Sequence, residues 1–356
     1  MDYMYSGPIL IVDLGTQETE EIELEDDLVK NFLGGIGITT NLYEEYQEED
    51  PLIIGTGIFT GSLAPGSALG IITGKSPLTN KISHAPFTLS GGSELKYSGF
   101  SFIVLKNKAP KPTYLWLHDG IAEFKDAERI WGKDTWEATD WIRNEHASPN
   151  IQCLIIGLAG EKMTNLSQIS LNYWGSGDRL GLGKLMGEKN LKAVAFRGMG
   201  EFEADNIEGY VEKSAGILKR IKESPIYKKQ GFKEFCDSLG IEKIDSWLNP
   251  WVHRYSSCFN CPYPCNTFVK YNEDPKTLRS SEVEEPGLML TNLLDVLSFK
   301  QFGAEAEETL RALEKARRLG LEPGSSAQKL LDEGKTLTEI CLLYTSPSPR
   351  DLSTSR

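Results

Sequence analysis

Residues 51–74 read PLIIGTGIFTGSLAPGSALGIITG, 24 consecutive positions without a charge between Asp50 and Lys75. A run of that length is what a hydropathy scan flags as a membrane-crossing helix. Gly55, Gly57, Gly61, Gly66, Gly70 and Gly74, with Pro51 and Pro65, interrupt any helix every few residues. They argue against a spanning helix. Onward to Ser93 the only charges are Lys75 and Lys81, so in a chain of net charge −13 this segment is neutral to positive. Exposed backbone N–H groups of such glycine turns can cradle an anion; turns that serve only to join strands are the competing reading.

Outward from this stretch, Gly7 to Leu14 followed by Gly15-Thr16-Gln17 reads as a strand and turn. Ile22 and Leu24 alternate with Glu21, Glu23 and Glu25, giving a second strand with one wet face. A short helix begins near Asp26 and stops at Gly34-Gly35. Residues 101–105 and 113–117 are expected as paired strands, and 151–157 and 191–196 as two more. From Asn206 the period becomes helical, with Ile207, Tyr210, Val211, Ile217, Leu218 and Ile221 on one side. A further helix runs from about Ala304 to Leu319, acidic at its start, with Arg317 and Arg318 in its last turn and Gly320 at the stop. The expected fold class is α+β: a β-rich N-terminal domain over residues 1–204, then the start of a mostly helical domain over 205–340.

Composition narrows the function. With 40% hydrophobic and 25% charged residues the chain is an ordinary globular protein. The acidic balance argues against a nucleic-acid binder, because phosphate neutralisation needs clustered Lys and Arg. No basic region followed by an apolar one opens the chain, so neither a secretory leader nor a membrane partner is expected, and the expected location is cytoplasmic. A second glycine-rich segment runs from Gly175 to Lys192, GSGDRLGLGKLMGEKNLK. Its Gly181-Leu182-Gly183 does not complete a dinucleotide-binding fingerprint.

Cys258, Cys261 and Cys265 form a C-x2-C-x3-C cluster stiffened by Pro262 and Pro264. Three thiolates within eight residues are metal ligands rather than a disulfide framework. An iron–sulfur cubane and a structural zinc, with His253 as fourth ligand, use the same donor types and both stay open on spacing.

Several ordered motifs resemble the N-terminal half of the tungsten-containing aldehyde ferredoxin oxidoreductase family. They are Phe32-Leu33-Gly34-Gly35-Ile36-Gly37, Gly57 to Gly61 with Ala64-Pro65-Gly66, Lys75-Ser76-Pro77-Leu78-Thr79, and Glu94-Leu95-Lys96-Tyr97-Ser98-Gly99. Ile130 to Thr135, Gly157 to Glu161 and Met186 to Ala193 continue the series to the cysteines. The resemblance spans about residues 6–322. It implies that the first domain is a base for a tungsten (or molybdenum) bis-pterin. It further implies that Cys258, Cys261 and Cys265 hold three corners of a [4Fe–4S] cluster, which moves the metal reading from zinc to iron–sulfur. Lys75, Ser76, Arg179, Gly181, Gly183, Lys189 and Asn190 are the expected cofactor-binding residues, and Glu284, with Glu282 before it, the expected catalytic acid or base.

The resemblance also implies oxidation of a small aldehyde or related oxo compound, with ferredoxin or another electron-transfer protein as partner and a homodimer left open. Two alternatives stand beside it: a reductive catalytic subunit of a larger complex, and a non-catalytic iron–sulfur protein without the pterin. The chain departs from the family pattern at Leu69, where an Arg is usual, at Pro86-Phe87-Thr88-Leu89, and at Arg317 and Glu322. Residues 341–356 share no periodicity with the helix before them. Cys341 to Asp351 is similar to the in-frame translation of a sequencing adapter, so this tail is expected to be non-native, the native chain breaking off near Ile340.

Overall fold

The computed structural model describes residues 8–202, 204–225, 227, 247–270 and 287–343. Strand β1 (Ile9–Asp13) is apolar on both faces, and β2 (Glu18–Ile22) returns antiparallel beside it with four exposed residues. Strands β3 (Leu52–Thr56), β4 (Gly70–Lys75), β5 (Ile82–Phe87) and β6 (Phe102–Lys106) complete a six-stranded sheet in the order β2-β1-β6-β3-β4-β5. The uncharged stretch is thus two antiparallel strands, β3 and β4, and the loop between them. The acidic β2 blunts one edge of this sheet against pairing with other chains.

A second sheet contains β7 (Thr113–His118), β8 (Ile121–Asp126), β9 (Gln152–Ile155), β10 (Ser170–Leu171) and β11 (Leu191–Arg197), in the order β10-β9-β11-β7-β8. Leu10, Val12, Ile54, Ile72 and Ile103 of the first sheet share one buried core with Leu115, Leu154, Val194 and Phe196 of the second. The two sheets therefore pack face to face. The expected pairing of residues 101–105 with 113–117 is incorrect. β6 lies between β1 and β3, while β7 lies between β11 and β8. The reason is local: Pro110 and Pro112 lack the N–H groups a hairpin ladder needs, and Asn107 turns with φ 62°, so this segment crosses between sheets.

Helices cover the outer faces. The short α1 (Asp26–Asn31) and the longer α2 (Ile36–Glu45) flank the first sheet, α2 burying Ile38 and Leu42 against Ile9, Ile11 and Val104. Helix α3 (Gly91–Tyr97) puts Leu95 into the shared core. Helix α4 (Thr135–Glu145) has an Asp134–Glu137 capping box and covers the second sheet through Ala138 and Ile142. The single turn α5 (Leu158–Glu161) and α6 (Gly183–Glu188) lie against each other.

Beyond residue 204 the chain is less purely helical than its periodicity predicts. Helix α7 (Ile207–Glu223) starts where expected, with Asn206 as N-cap. Its apolar side is not a core: Ser214 is its buried residue, while Ile207, Val211 and Ile217 are exposed. A three-stranded sheet follows, made of β12 (Val252–Ser256), β13 (Asn266–Lys270) and β14 (Gly287–Leu290). Helices α8 (Leu293–Lys300), α9 (Ala306–Leu319) and α10 (Pro323–Asp332) pack on it, burying Val296, Phe299, Leu310, Leu313 and Leu330 with Phe268 and Leu288. Gly320 closes α9 in the left-handed region, as its position after Arg317-Arg318 predicts. Among the described residues no helix is long and apolar enough to cross a membrane.

The sheets and the later helices meet at a close backbone crossing. A Cβ on Gly157 would stand 2.4 Å from the carbonyl carbon of Leu319. Gln168 donates its N–H to the Gly320 carbonyl at 2.7 Å, and Glu322 to that of Leu166 at 2.8 Å. The contact between α5 and α6 is equally tight, because a Cβ on Gly187 would lie 1.9 Å from the Gly160 oxygen. Gly187→Ala should therefore force the two helices apart and lower stability by about 2 kcal/mol or more, read as a drop in the urea midpoint at unchanged slope.

Candidate functional site: a cysteine loop on a glycine platform

Cys258, Cys261 and Cys265 lie in the loop joining β12 to β13, whose ladder closes with Ser256 opposite Asn266. The loop is folded on itself: Cys261 N–H donates to the Cys258 carbonyl at 3.0 Å and Cys265 N–H to that of Tyr263 at 3.0 Å. All three thiols are free and half-buried. Burial and the two neighbouring sulfurs push the Cys265 thiol above its usual pKa. His253, the fourth ligand in a zinc reading, is exposed on β12 beside Arg254 and Phe268. Among the described residues no three His, Cys, Asp or Glu side chains converge to hold one ion. A cubane binds each thiolate at a different iron, so it does not require that convergence. Three soft, accessible donors on a stiff loop fit such a cluster.

The loop is anchored to the first sheet. Gly66 N–H donates to the Asn260 carbonyl at 2.9 Å, and Asn260 Nδ2 donates to the Ala64 carbonyl at 3.1 Å. Phe259 N–H donates to the Leu89 carbonyl at 2.7 Å, and its ring meets Tyr97 edge-on at 6.1 Å. Asn260 has φ 49°, a conformation Asn tolerates better than most residues. The surface beneath is a platform. Gly34 bridges Gly57, which brings Leu33 and Ile36 beside the 57–70 loop with its Phe59, Leu63 and Leu69. These five apolar side chains are about half exposed or more. Gly35 and Gly66 have positive φ and open space where a Cβ would stand. A flat ring system fits this surface. A cavity of about 480 Å³ between Leu63, Pro65, Val211, Leu218 and Asn260 opens onto Cys261.

Most of the predicted cofactor residues are at the other end of β4. Its six residues hold Gly70 and Lys75 about 16 Å apart. Lys75 is exposed there. Ser76 is buried, and its hydroxyl donates to the Leu180 carbonyl at 2.7 Å. Lys189 is buried too, bonded to the Asp50 carbonyl and 3.7 Å from the Asp50 carboxylate. Asn190 has φ 54° and donates its side-chain amide to the Ala109 carbonyl at 2.8 Å. Gly181 and Gly183 allow close backbone approach, their Cβ positions falling 2.6 Å from the Asn165 oxygen and 2.7 Å from the Gln168 carbonyl carbon. The structure does not bring this group together with the cysteines. Glu284 and Glu282 lie outside the described residues.

The Gly175–Lys192 segment does cradle an anion, and the anion is its own. The fully buried Asp178 carboxylate accepts N–H groups from Ile169 (3.0 Å), Leu180 (3.1 Å), Leu182 (3.2 Å) and Gly183 (3.1 Å). Next to it, Arg179 reaches outward to Asp295 at 2.7 Å and Glu322 at 3.1 Å. Asp295 also pairs with the buried Arg317 at 3.2 Å, and Glu322 caps α10 through the Gly324 and Ser325 N–H groups. Sequence reading missed this junction, although an acid beside an Arg in a glycine turn was its visible signal. It also missed Lys96, buried on α3 under the platform. The Lys96 Nζ donates to the Ile58 carbonyl at 3.0 Å, and burial brings its pKa down to about 8.

Two outcomes follow from the junction. Asp295→Ala leaves Arg317 buried without its carboxylate and should cost about 3–5 kcal/mol, against a smaller loss for Asp295→Asn in the same denaturation assay. Burial pushes the Asp178 carboxyl up to about 6 from 3.8, the four N–H bonds opposing this. Between these values the folded chain holds more protons than the unfolded one, so this group's contribution to stability falls as pH rises through that window. The penalty of Asp178→Asn relative to the parent should therefore shrink between pH 4 and 6. A penalty that grows over the same range would show that the N–H groups hold the carboxylate ionised.

The chain's similarities agree with this architecture. The family described as aldehyde ferredoxin oxidoreductase, N-terminal domain, matches residues 9–198. The tungsten-containing aldehyde ferredoxin oxidoreductase of Pyrococcus furiosus is 36% identical over 293 residues, covering 73% of this chain and 48% of that protein. Its counterpart in Pyrococcus abyssi is 33% identical over 292 residues, with the same coverage of 73% and 48%. An aliphatic sulfonate oxidoreductase, WOR-like subunit, of Pyrococcus furiosus is 28% identical over 342 residues, 82% of this chain and 54% of that one. The fold is shared with the active site complex BamBC of benzoyl coenzyme A reductase in complex with 1,5-dienoyl-CoA. That match has a TM-score of 0.79 at 24% identity and covers 94% of this chain and 57% of that chain. The chain spans about half the length of the curated relatives it matches. With more than half of its residues matched by one family and its sheets, platform and cysteine loop laid out as described, the chain belongs to the aldehyde ferredoxin oxidoreductase family.

Proposed function

We propose that this chain forms part of a tungsten (or molybdenum) pterin and iron–sulfur oxidoreductase. In this reading it oxidises an aldehyde or related oxo compound and passes the electrons to ferredoxin or another electron-transfer protein. One observation carries the reading: the cysteine loop is hydrogen-bonded directly onto the glycine-rich, apolar platform through Asn260, Gly66 and Leu89. A ring system on that platform and a cluster on that loop would be neighbours, which is what stepwise electron transfer needs. When bound, the metal–dithiolene centre accepts the two electrons of the oxidation and the cubane hands them on singly.

The chain's own residues have separable tasks in this proposal. Cys258, Cys261 and Cys265 hold the cluster. Gly35, Gly57 and Gly66 let the backbone approach a flat ligand, and Leu33, Phe59 and Leu69 exclude water from its face. Lys96, fixed on the Ile58 carbonyl, places a positive charge under the platform. Arg179 lies in the segment that runs from Gly177, bonded to the Pro86 carbonyl, to Leu180, bonded to Ser76. A phosphate there would compete with Asp295 and Glu322 for its guanidinium, while the exposed Lys75 is open to one at the far end of β4. Glu284 is the proposed acid or base. A reductive role within a larger complex is the second reading; the similarity to a WOR-like subunit over 82% of the chain supports its subunit part.

Full-length protein prepared anaerobically with tungstate should reduce a viologen dye when a short aldehyde is added, releasing the carboxylic acid. Cys261→Ser should cut electron delivery to ferredoxin at least tenfold. Complete metal and pterin loading without aldehyde-dependent dye reduction would contradict the oxidative reading. Consumption of an oxo substrate driven by a low-potential donor would then favour the reductive one.

A further inference from the structure

Asn266 is the first residue of β13 and follows Cys265 directly. It is 3% exposed, and its backbone is fixed by its ladder position opposite Ser256. Its side chain sits between two of the three sulfurs. The amide Nδ2 donates to Cys258 Sγ at 3.6 Å, and Cys265 Sγ lies 4.0 Å from the amide oxygen. Among the described residues these are the hydrogen-bond contacts of that side chain, both to sulfur. A buried amide is costly to leave unpaired, so its placement here points to a polar task at the cysteines.

We propose that Asn266 raises the reduction potential of the cluster held by Cys258, Cys261 and Cys265 by donating an amide N–H to a cluster thiolate. The inference rests on the iron–sulfur reading above. Binding to iron removes the thiol protons, so Cys265 can no longer donate to the amide oxygen and the N–H end becomes the part of the side chain that bonds sulfur. Reduction adds one electron and one negative charge to the cluster, with no bond broken and no proton required. An N–H facing the sulfur stabilises that added charge, and does so strongly where water is excluded. Asn266 is thus a positioning residue that acts through Cys258 rather than on the substrate.

The test uses full-length, anaerobically prepared protein, titrated with dithionite and followed by EPR. Asn266→Leu keeps the shape and removes the donor, and Asn266→Asp replaces the donor with a negative charge. Both should retain the parent's iron content and titrate at lower potential, Asp below Leu. The expected change is at least tenfold in the reduction equilibrium, about 59 mV for a one-electron couple. Iron-loaded variants that titrate with the parent overturn the proposal. If Asn266→Leu fails to hold iron, pulsed EPR of the reduced parent decides, with its asparagine side-chain amides labelled with ¹⁵N. A nitrogen coupling at the cluster supports the bond, and its absence overturns it. Parent protein that binds no iron overturns the underlying reading together with this one, and the iron assay tells that failure apart from a failure at Asn266.

Discussion

Two adjacent residues, Asp178 and Arg179, hold this architecture together by facing opposite ways. The Asp178 carboxylate gathers four backbone N–H groups and so fixes the glycine turn that starts α6. The Arg179 guanidinium reaches Asp295 and Glu322, tying the two-sheet base to α8 and to the start of α10. Burying a charge is expensive unless it is fully bonded, and each member of this group is bonded. Arg317 joins this group: its guanidinium pairs with Asp295 and donates to the Met289 carbonyl, although its Nε has no partner among the described residues. A glycine segment that would otherwise offer its N–H groups to an external anion is thereby committed to holding the fold.

With the junction fixed, the first sheet presents two distinct ends. At one, Ser76, Lys189 and Asn190 stitch strand ends to turns through buried bonds, while Lys75 and the turn after it stay exposed. At the other, glycines at 34, 35, 57 and 66 and a row of exposed apolar side chains form an open platform under the cysteine loop. The chemistry proposed for the protein needs the second end: a dry, flat surface with a soft-metal ligand set beside it. The anchoring of Asn260 and Phe259 holds the three cysteines in place over the platform.

Much of this was legible in the residues. The strand, turn and strand at β1–β2, the helical period that begins at Asn206 and the glycine stop at 320 follow from local periodicity and turn chemistry, which the structure obeys. The three cysteines were read together from their spacing, and the structure places them on the one loop between β12 and β13. What local pattern could not supply was partnership. Strand β6 reads like the first half of a hairpin with β7, yet tertiary pairing sends the two to different sheets. Strand β12, VHRYS, is too short and too polar to stand out from the helical periodicity around it. The glycine segment after residue 175 looked like a ligand cradle because a sequence does not say whether its N–H groups meet a ligand or the chain's own Asp178. Lys189 and Asn190 read as ligand contacts for the same reason, although their partners are backbone carbonyls.

The central claim is that the cysteine loop and the platform form one cofactor-bearing unit. Metal analysis of the full-length protein, purified without oxygen and assayed together with its pterin content, tests it most directly. The account predicts about four irons per chain together with tungsten or molybdenum and pterin. Stoichiometric zinc without iron, and no pterin, would contradict it.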